Sequence, residues 1–303
     1  MKSFIYINSM SGSGFSETYF NKYLKQFVNK NFKETYVVKL PCNNENYIID
    51  NKDNNENNCI FIVGGDGTVS MTIQNIMINS KFDNLNIPIY ICPFGSGNGL
   101  AKNLNVDPYK LSLNGKKKYI NSMEIQSDNL DNKLNISFLS QTWGIISDID
   151  INTEFLRCIG DFRFYYGILK YIFLPNFYKG SLDITTIDNN DYTINGDFYL
   201  FCASNAQWIS SDFKIANKAN IFSKDIDILI IKEKISLSER IKLIYYLLNE
   251  RIDELDFVEY FKVNKYNLKL TDTDSMIVND GEVINSANIN VKNTGKQFLF
   301  YSF

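Results

Sequence analysis

"IFIVGGDGTVSMTIQNI", residues Ile60 to Ile76, runs four apolar residues into Gly-Gly-Asp-Gly-Thr and then resumes a helix-like spacing. The apolar run has the character of a buried strand, and the glycines mark a tight turn or a close approach of two backbones. Strand, glycine turn and helix in succession form the unit of a parallel α/β sheet. Asp66 stands alone between glycines at the strand's end. A carboxylate there does little for packing and much for chemistry, the plain alternative being a helix N-cap.

The unit recurs on both sides. "FIYIN" (Phe4 to Asn8) reads as a first strand, "SMSGSG" (Ser9 to Gly14) as its loop, and Phe15 to Lys30 as a helix. "TYVVKL" (Thr35 to Leu40) is a second strand, and "ENYIIDN" within the Asn-rich piece that follows reads as a short helix. After the opening stretch, whose helix is expected over Val69 to Asn79, "IPIYICPFGSGNGLAKNL" supplies a strand, another glycine loop and another helix start. In open α/β sheets such strand ends form the ligand crevice. Past Lys118 the pattern changes to strand-like runs separated by "DNN", "NG" and "NDG", which predicts an antiparallel β domain. Two helical passages interrupt it, Ile151 to Phe173 and Ser236 to Leu248, the second opening with a Ser-x-x-Glu capping box.

Composition narrows the function. The 303 residues are 45% hydrophobic, enough for a full core, and the net charge of -3 favours neither nucleic acid nor an anionic surface as main partner. The basic run Lys116-Lys117-Lys118 reads as a solvated surface turn. The five cysteines are scattered without a C-x-x-C, which speaks against zinc and against a disulfide framework. "MKSFIYINS" is too short in its apolar part for a signal peptide, and no stretch reaches a membrane span, so a cytoplasmic protein is expected. There is no histidine, which removes Ser-His-Asp and Cys-His catalysis and leaves acid–base work to Asp, Glu, Lys, Tyr or Cys.

The glycine loops "SMSGSG", "GGDGTV" and "PFGSGNG" all end strands. Glycine turns entering helices expose backbone N–H groups to phosphate. One such loop is often only a turn; several at equivalent strand ends suit one anionic ligand lying across them. None matches G-x-x-x-x-G-K-[ST] or G-x-G-x-x-G. Asp66 then either holds Mg²⁺ on the phosphates or accepts a proton from an attacking hydroxyl.

"GGDGT" resembles the signature shared by diacylglycerol kinases, sphingosine kinases, NAD kinases and phosphofructokinases. "PFGSGNGLA" is similar to the Pro-x-Gly-Ser-Gly-Asn-x-Leu-Ala motif of eukaryotic lipid kinases. "SFLSQTWGIISDIDINTEFLRCIGDFRF" (Ser137 to Phe164) resembles the sphingosine kinase run of Ser-x-x-Trp-Gly, Asp-x-Asp and two spaced arginines, and "NDGE" (Asn279 to Glu282) matches that family's late Asp-Gly-Glu. These motifs stand in order along nearly the whole chain.

The resemblance implies a Rossmann-like α/β domain over 1–118 and an antiparallel β-sandwich domain over 119–303, with a helical lid at about 151–178 and the active site in the cleft between them. ATP would lie on Asn8, Ser11, Gly12 and Ser13, on Gly65, Gly67 and Thr68, and on Gly95, Ser96, Gly97 and Asn98, with Gly281 nearby. Asp66 would be the general base. Arg157 and Arg163 would contact the phosphates; six positions apart, they would not share a face of an unbroken helix, and Gly160 offers a bend. Asp280 and Glu282 would hold Mg²⁺, directly or through water, although Asp-Gly alone also suits a type I′ hairpin. Asp150, with Ser140, would meet the ammonium and hydroxyl of a sphingoid base, the alternative being the polar side of a turn after a strand. Phe164 would line the acyl-chain pocket within "FRFYYGILKYIFLPNF" (Phe162 to Phe177), which by itself reads as a core helix. The lipid would be collected at a membrane surface by peripheral association.

The first loop departs from the family's Asn-Pro-x-(Gly/Ser)-Gly, reading Asn8-Ser9-Met10-Ser11-Gly12, and "KLPCNN" lacks the usual threonine. Both changes touch the adenine or ribose end of ATP and leave the reacting groups alone. The competing readings are a diacylglycerol or ceramide kinase, an NAD kinase, and a non-catalytic lipid-binding pseudokinase.

Overall fold

A computed structural model of the chain describes residues 1–128, 135–153, 162–232, 234–272 and 275–303, leaving aside the side chains of residues 12–13 and 162–164. The first unit begins with β1 (Lys2–Asn8), α1 (Phe15–Tyr19), a π-helical turn and α2 (Lys25–Asn31). It continues with β2 (Glu34–Leu40), β3 (Cys59–Gly64), α3 (Asp66–Ser80), β4 (Ile89–Pro93) and α4 (Gly99–Asn103). The strands lie in the order β2-β1-β3-β4, all parallel. Alternation across the pleat sends Ile60 and Ile62 to one face of β3, where Val69, Ile73 and Ile76 of α3 cover them. Phe61 and Val63 go to the other, beneath Leu24 and Val28. Every residue of β3 is buried, as a central parallel strand between two helical layers must be.

The second unit contains β5 (Lys116–Ser127), β6 (Ile136–Ser137), β7 (Ser140–Gly144), α5 (Ile145–Asn152), α6 (Phe162–Phe173), β8 (Tyr178–Thr186) and β9 (Asp191–Ser204). It is completed by β10 (Ile226–Lys232), α7 (Leu237–Leu248), β11 (Glu259–Leu270), β12 (Ile277–Asn279), β13 (Glu282–Ile284) and β14 (Asn288–Ser302). Its strand pairs are antiparallel. The long strands β9 and β11 each pair with β8 along one part and with β10 along another, folding the sheet over a core of Trp143, Leu182, Phe198, Phe201, Ile228 and Tyr266. On the outer face Leu229 and Ile231 of β10 pack with Ile149 of α5, Ile168 of α6 and Leu243 of α7.

The fold is thus the expected α/β unit followed by antiparallel strands, and several local expectations are corrected. The boundary placed at residue 118 falls inside β5, whose partner β14 runs beside it from Ile289↔Ser127 to Ser302↔Lys116. β14 also adds to β4 in parallel at Phe300↔Ile89, so one strand carries Ile289 and Val291 into the second core and Phe298 and Phe300 into the first. The Lys116–Lys118 run opens β5 rather than forming a turn; Lys117 and Lys118 lie over the rings of Tyr301 and Phe222. "ENYIIDN" folds only as 3₁₀ turns at Asn44–Tyr47 and Asn51–Asp53. In place of one helix from Ile151 to Phe173, α5 spans Ile145–Asn152 and α6 Phe162–Phe173, residues 154–161 lying outside the described residues, so Asp148 and Asp150 sit on α5 and not in a turn. α7 carries the anticipated capping box, Ser236 with Glu239. Among the described residues, no helix is long and apolar enough to cross a membrane.

Candidate active site

The glycine loops after β3 and β4 meet backbone to backbone. A Cβ on Gly95 would lie 2.3 Å from Cα of Gly65, and one on Gly65 would lie 2.9 Å from Cα of Gly95. Glycine is required here by proximity, since neither residue has a left-handed backbone. Asn98, at φ 55°, brackets the third loop: its Oδ1 accepts from Gly95 N–H at 2.8 Å and its Nδ2 donates to Gly95 C=O at 2.7 Å. The first loop joins through Asn8, whose Nδ2 donates to Thr68 Oγ1 at 2.9 Å and whose Oδ1 accepts from Met10 N–H. Ser11 to Gly14 form a 3₁₀ turn that leads into α1.

Asp66 is the first residue of α3 but does not cap that helix. Its carboxylate accepts from the N–H groups of Gly99 at 2.9 Å and Leu100 at 3.0 Å, the start of α4. Burial raises its pKa to about 6; those two N–H groups oppose the rise and the nearby Asp280 charge adds to it. A Cβ on Gly97 would stand 3.4 Å from Asp66 Oδ2, so the third loop closes over the same carboxylate.

Glu282 reaches this place from the second unit. A Cβ on Gly67 would meet Glu282 Oε1 at 2.8 Å, so the carboxylate rests on the first turn of α3. Asp280 and Gly281 turn the β12–β13 hairpin with φ of 47° and 85°, which is the turn expected of "NDGE". Asp280, expected beside the metal, is committed elsewhere. Its Oδ1 accepts from Ser137 Oγ (2.7 Å) and from the N–H groups of Leu139 and Ser140 (3.0 Å each). Its Oδ2 accepts from Ser70 Oγ (2.6 Å) and Phe138 N–H (2.9 Å). Among the described residues no group of three or more His, Cys, Asp or Glu side chains converges as a metal cage. Mg²⁺, which takes one or two carboxylates and keeps most of its waters, does not need such a cage.

Of the residues expected to meet the lipid, Ser140 is buried at the start of β7, its carbonyl accepting from Asp280 N–H at 3.0 Å. Two positions apart on α5, Asp148 and Asp150 point to opposite sides. Asp148 is the buried one; it accepts from Tyr178 Oη at 2.8 Å and Asn176 Nδ2 at 2.9 Å, and burial raises its pKa against those bonds. Asp150 is partly exposed. Arg157 and Gly160 lie outside the described residues, as do the side chains of Arg163 and Phe164, which are the second and third residues of α6.

One contributor has no motif in the sequence. The segment Gln207–Ser211 after β9 presses on the third glycine loop: Ser211 N–H donates to Gly97 C=O at 2.6 Å, and a Cβ on Gly99 would lie 2.7 Å from the Ile209 carbonyl carbon. Asn103 of α4 completes the joint, accepting from Trp208 N–H and donating to Trp208 C=O. Only the glycine at position 99, demanding space, hinted at a neighbour.

Residues 2–126 match the family described as the diacylglycerol kinase catalytic domain. The chain is similar to "Sphingosine kinase 1" of Caenorhabditis elegans, 24% identical over 98% of this chain and 80% of that one. It is also similar to "Sphingoid long chain base kinase 4" of Schizosaccharomyces pombe, 23% identical over 71% of this chain and 55% of the relative. Among solved structures, a putative diacylglycerol kinase from Bacillus anthracis superposes with a TM-score of 0.70 at 15% identity, covering 100% of this chain and 95% of that one. An NAD kinase from Archaeoglobus fulgidus in complex with ATP reaches 0.51 at 10% identity, covering 100% and 94%.

Proposed function

We propose that this chain, a sphingosine-kinase-like lipid kinase of the diacylglycerol kinase superfamily, transfers the terminal phosphoryl group of ATP to the primary hydroxyl of a sphingoid base. The observation that carries the reading is the position of Asp66, a carboxylate with raised pKa held by two N–H groups where the second and third glycine loops meet.

The substrate hydroxyl oxygen forms a bond to the γ-phosphorus, the bond from that phosphorus to the bridging oxygen breaks, and ADP leaves. Asp66 takes the hydroxyl proton. Near pH 7 a carboxyl with a pKa of about 6 is mostly ionised, yet basic enough to accept a proton as the oxygen attacks. Backbone N–H groups of Gly65, Gly67 and Thr68, of Ser96, Gly97 and Asn98, and of the loop from Asn8 through Ser11, Gly12 and Ser13 suit the phosphates, helped by the N-terminal end of α3, while Gly95, its N–H taken by Asn98, gives the loops room to meet. Arg157 and Arg163 are assigned to the same charges. Mg²⁺ would neutralise the phosphate oxygens; Glu282, which rests on the first turn of α3, would hold it directly or through water, with Gly281 letting the hairpin approach.

Sphingoid specificity rests on Asp150 and Ser140. A carboxylate pairs with an ammonium and a neighbouring hydroxyl, and a diacylglycerol offers no cation. Phe164 and its neighbours on α6 would receive the alkyl chain. Tyr166, Leu169, Phe173 and Leu174 expose apolar surface in and just after that helix, consistent with peripheral contact with a bilayer. Liposome flotation with no association would remove the membrane part of the proposal.

The deciding experiment is transfer of label from ATP with Mg²⁺ to sphingosine, dihydrosphingosine, ceramide, diacylglycerol and NAD, in mixed micelles for the lipids, with Asp66→Asn as the blank. Label confined to the sphingoid bases and lost in the variant is the expected result. Label on diacylglycerol or ceramide would keep the mechanism and overturn the role of Asp150. No label on any acceptor would overturn the kinase.

A further inference from the structure

The Asp280 carboxylate makes five hydrogen bonds that come from two sides of the molecule. Ser70 belongs to α3 of the nucleotide unit. Ser137 and the consecutive N–H groups of Phe138, Leu139 and Ser140 belong to the β6–β7 turn, which carries the predicted lipid contact Ser140. The line continues into the second core. Gln141 Nε2 donates to Ser137 Oγ and to Asn279 Oδ1, both at 2.8 Å, and Tyr266 Oη donates to Gln141 Oε1 at 2.8 Å. A connected path therefore runs from Tyr266 in the β core to Ser70 in the α/β unit, with Asp280 as its joint. Two residues on, Glu282 rests against Gly67.

We propose that Asp280 is a positioning residue and not a metal ligand: it clasps α3 to the β6–β7 turn and so sets both Glu282 against the phosphate loops and Ser140 at the lipid side. A carboxylate with two oxygens already serving five donors, most of them backbone or buried hydroxyl, has no place left for an ion without breaking the clasp. The left-handed backbone at Asp280 fits this role, because the hairpin must turn sharply for the side chain and Glu282 to reach different partners. The inference rests on the kinase reading for its activity readout and on packing alone for its second readout.

The test compares Asp280→Asn, Ser137→Ala and Ser70→Ala on the lipid that the wild-type chain phosphorylates. The serines touch neither nucleotide nor lipid in the proposed site, so their variants report on the clasp alone. Asp280→Asn should lower kcat about 100-fold. Each serine variant should lower it about 5-fold, the worth of one buried hydrogen bond. KM for ATP and the Mg²⁺ concentration at half-activity should stay within about twofold; each serine variant should also lose about 1 kcal/mol of stability, and a purely structural role would show that loss with kcat unchanged. A tenfold rise in the Mg²⁺ requirement of Asp280→Asn, with both serine variants at wild-type rates, would overturn the clasp in favour of a metal ligand. If Asp280→Asn fails to fold, the serine variants decide, and wild-type kcat in both overturns the proposal. If the wild-type chain phosphorylates no acceptor, the kinase reading has failed and hydrogen exchange decides the clasp. Faster exchange at Leu139, Ser140 and residues 277–284 in Ser137→Ala supports it, and unchanged exchange overturns it.

Discussion

The backbones of Gly65 and Gly95 touch, so the loops after β3 and β4 are one surface and not two. Gly95→Ala places a methyl 2.3 Å from Gly65 Cα, where only backbone can yield. We expect the loops to part, a loss of about 2 kcal/mol in denaturant unfolding and at least a 100-fold fall in kcat/KM for ATP. Ser96→Ala, one position on, should unfold like wild type.

As the proposed general base, Asp66 would give the rate a defined acid limb. A general base must be ionised, so kcat/KM should rise with pH through about 6 and level off above it. Stability should run the other way. The folded pKa lies above the ordinary value of 3.8, so the folded state holds the proton more tightly and loses stability as pH rises from about 4 through about 6. Asp66→Asn should abolish transfer while gaining thermal midpoint on wild type over that same window. A midpoint difference independent of pH would contradict the raised pKa.

On the proposed sphingoid-base reading, Asp150→Ala should lower turnover of sphingosine by at least about 100-fold and spare any slow turnover of diacylglycerol, because only the sphingoid ammonium needs a carboxylate. Equal losses on both lipids in a micelle assay would assign Asp150 to the fold of α5.

Tyr178→Phe removes one of the donors to buried Asp148. We expect about 1 kcal/mol of destabilisation near neutral pH. The Asp148 pKa, already raised by burial, should climb further without that hydroxyl. The stability gap to wild type should therefore widen as pH rises above about 4, measured by urea unfolding across pH.

The residues that announced themselves in the sequence are those whose geometry is local. Gly65, Gly95 and Asp66 stand at strand ends, and a strand end followed by a helix is written in a dozen consecutive residues. The capping box at Ser236 is local in the same way. What was not legible depends on distance along the chain. Asp280 finds Ser70 across 210 positions and Ser137 across 143, and nothing in "NDGE" tells which donors will surround it. Asp148 and Asp150 are the same residue two places apart, and only the rotation of α5 decides that the first is buried. The boundary near residue 118 was read from a change of periodicity, but periodicity cannot reveal that β14 returns to complete the first sheet.

That return sets an order of assembly. During synthesis β4 emerges early, while its neighbour at Phe300 is translated some two hundred residues later. Until then the nascent α/β unit carries an open edge and an uncovered apolar surface where Phe298 and Phe300 belong. The unit cannot be finished on the ribosome before β14 has been made. A chain stopped at residue 287 should accordingly aggregate or engage chaperones, even though every glycine loop and Asp66 are present in it, and full solubility of that truncated chain would show that β4 needs no partner.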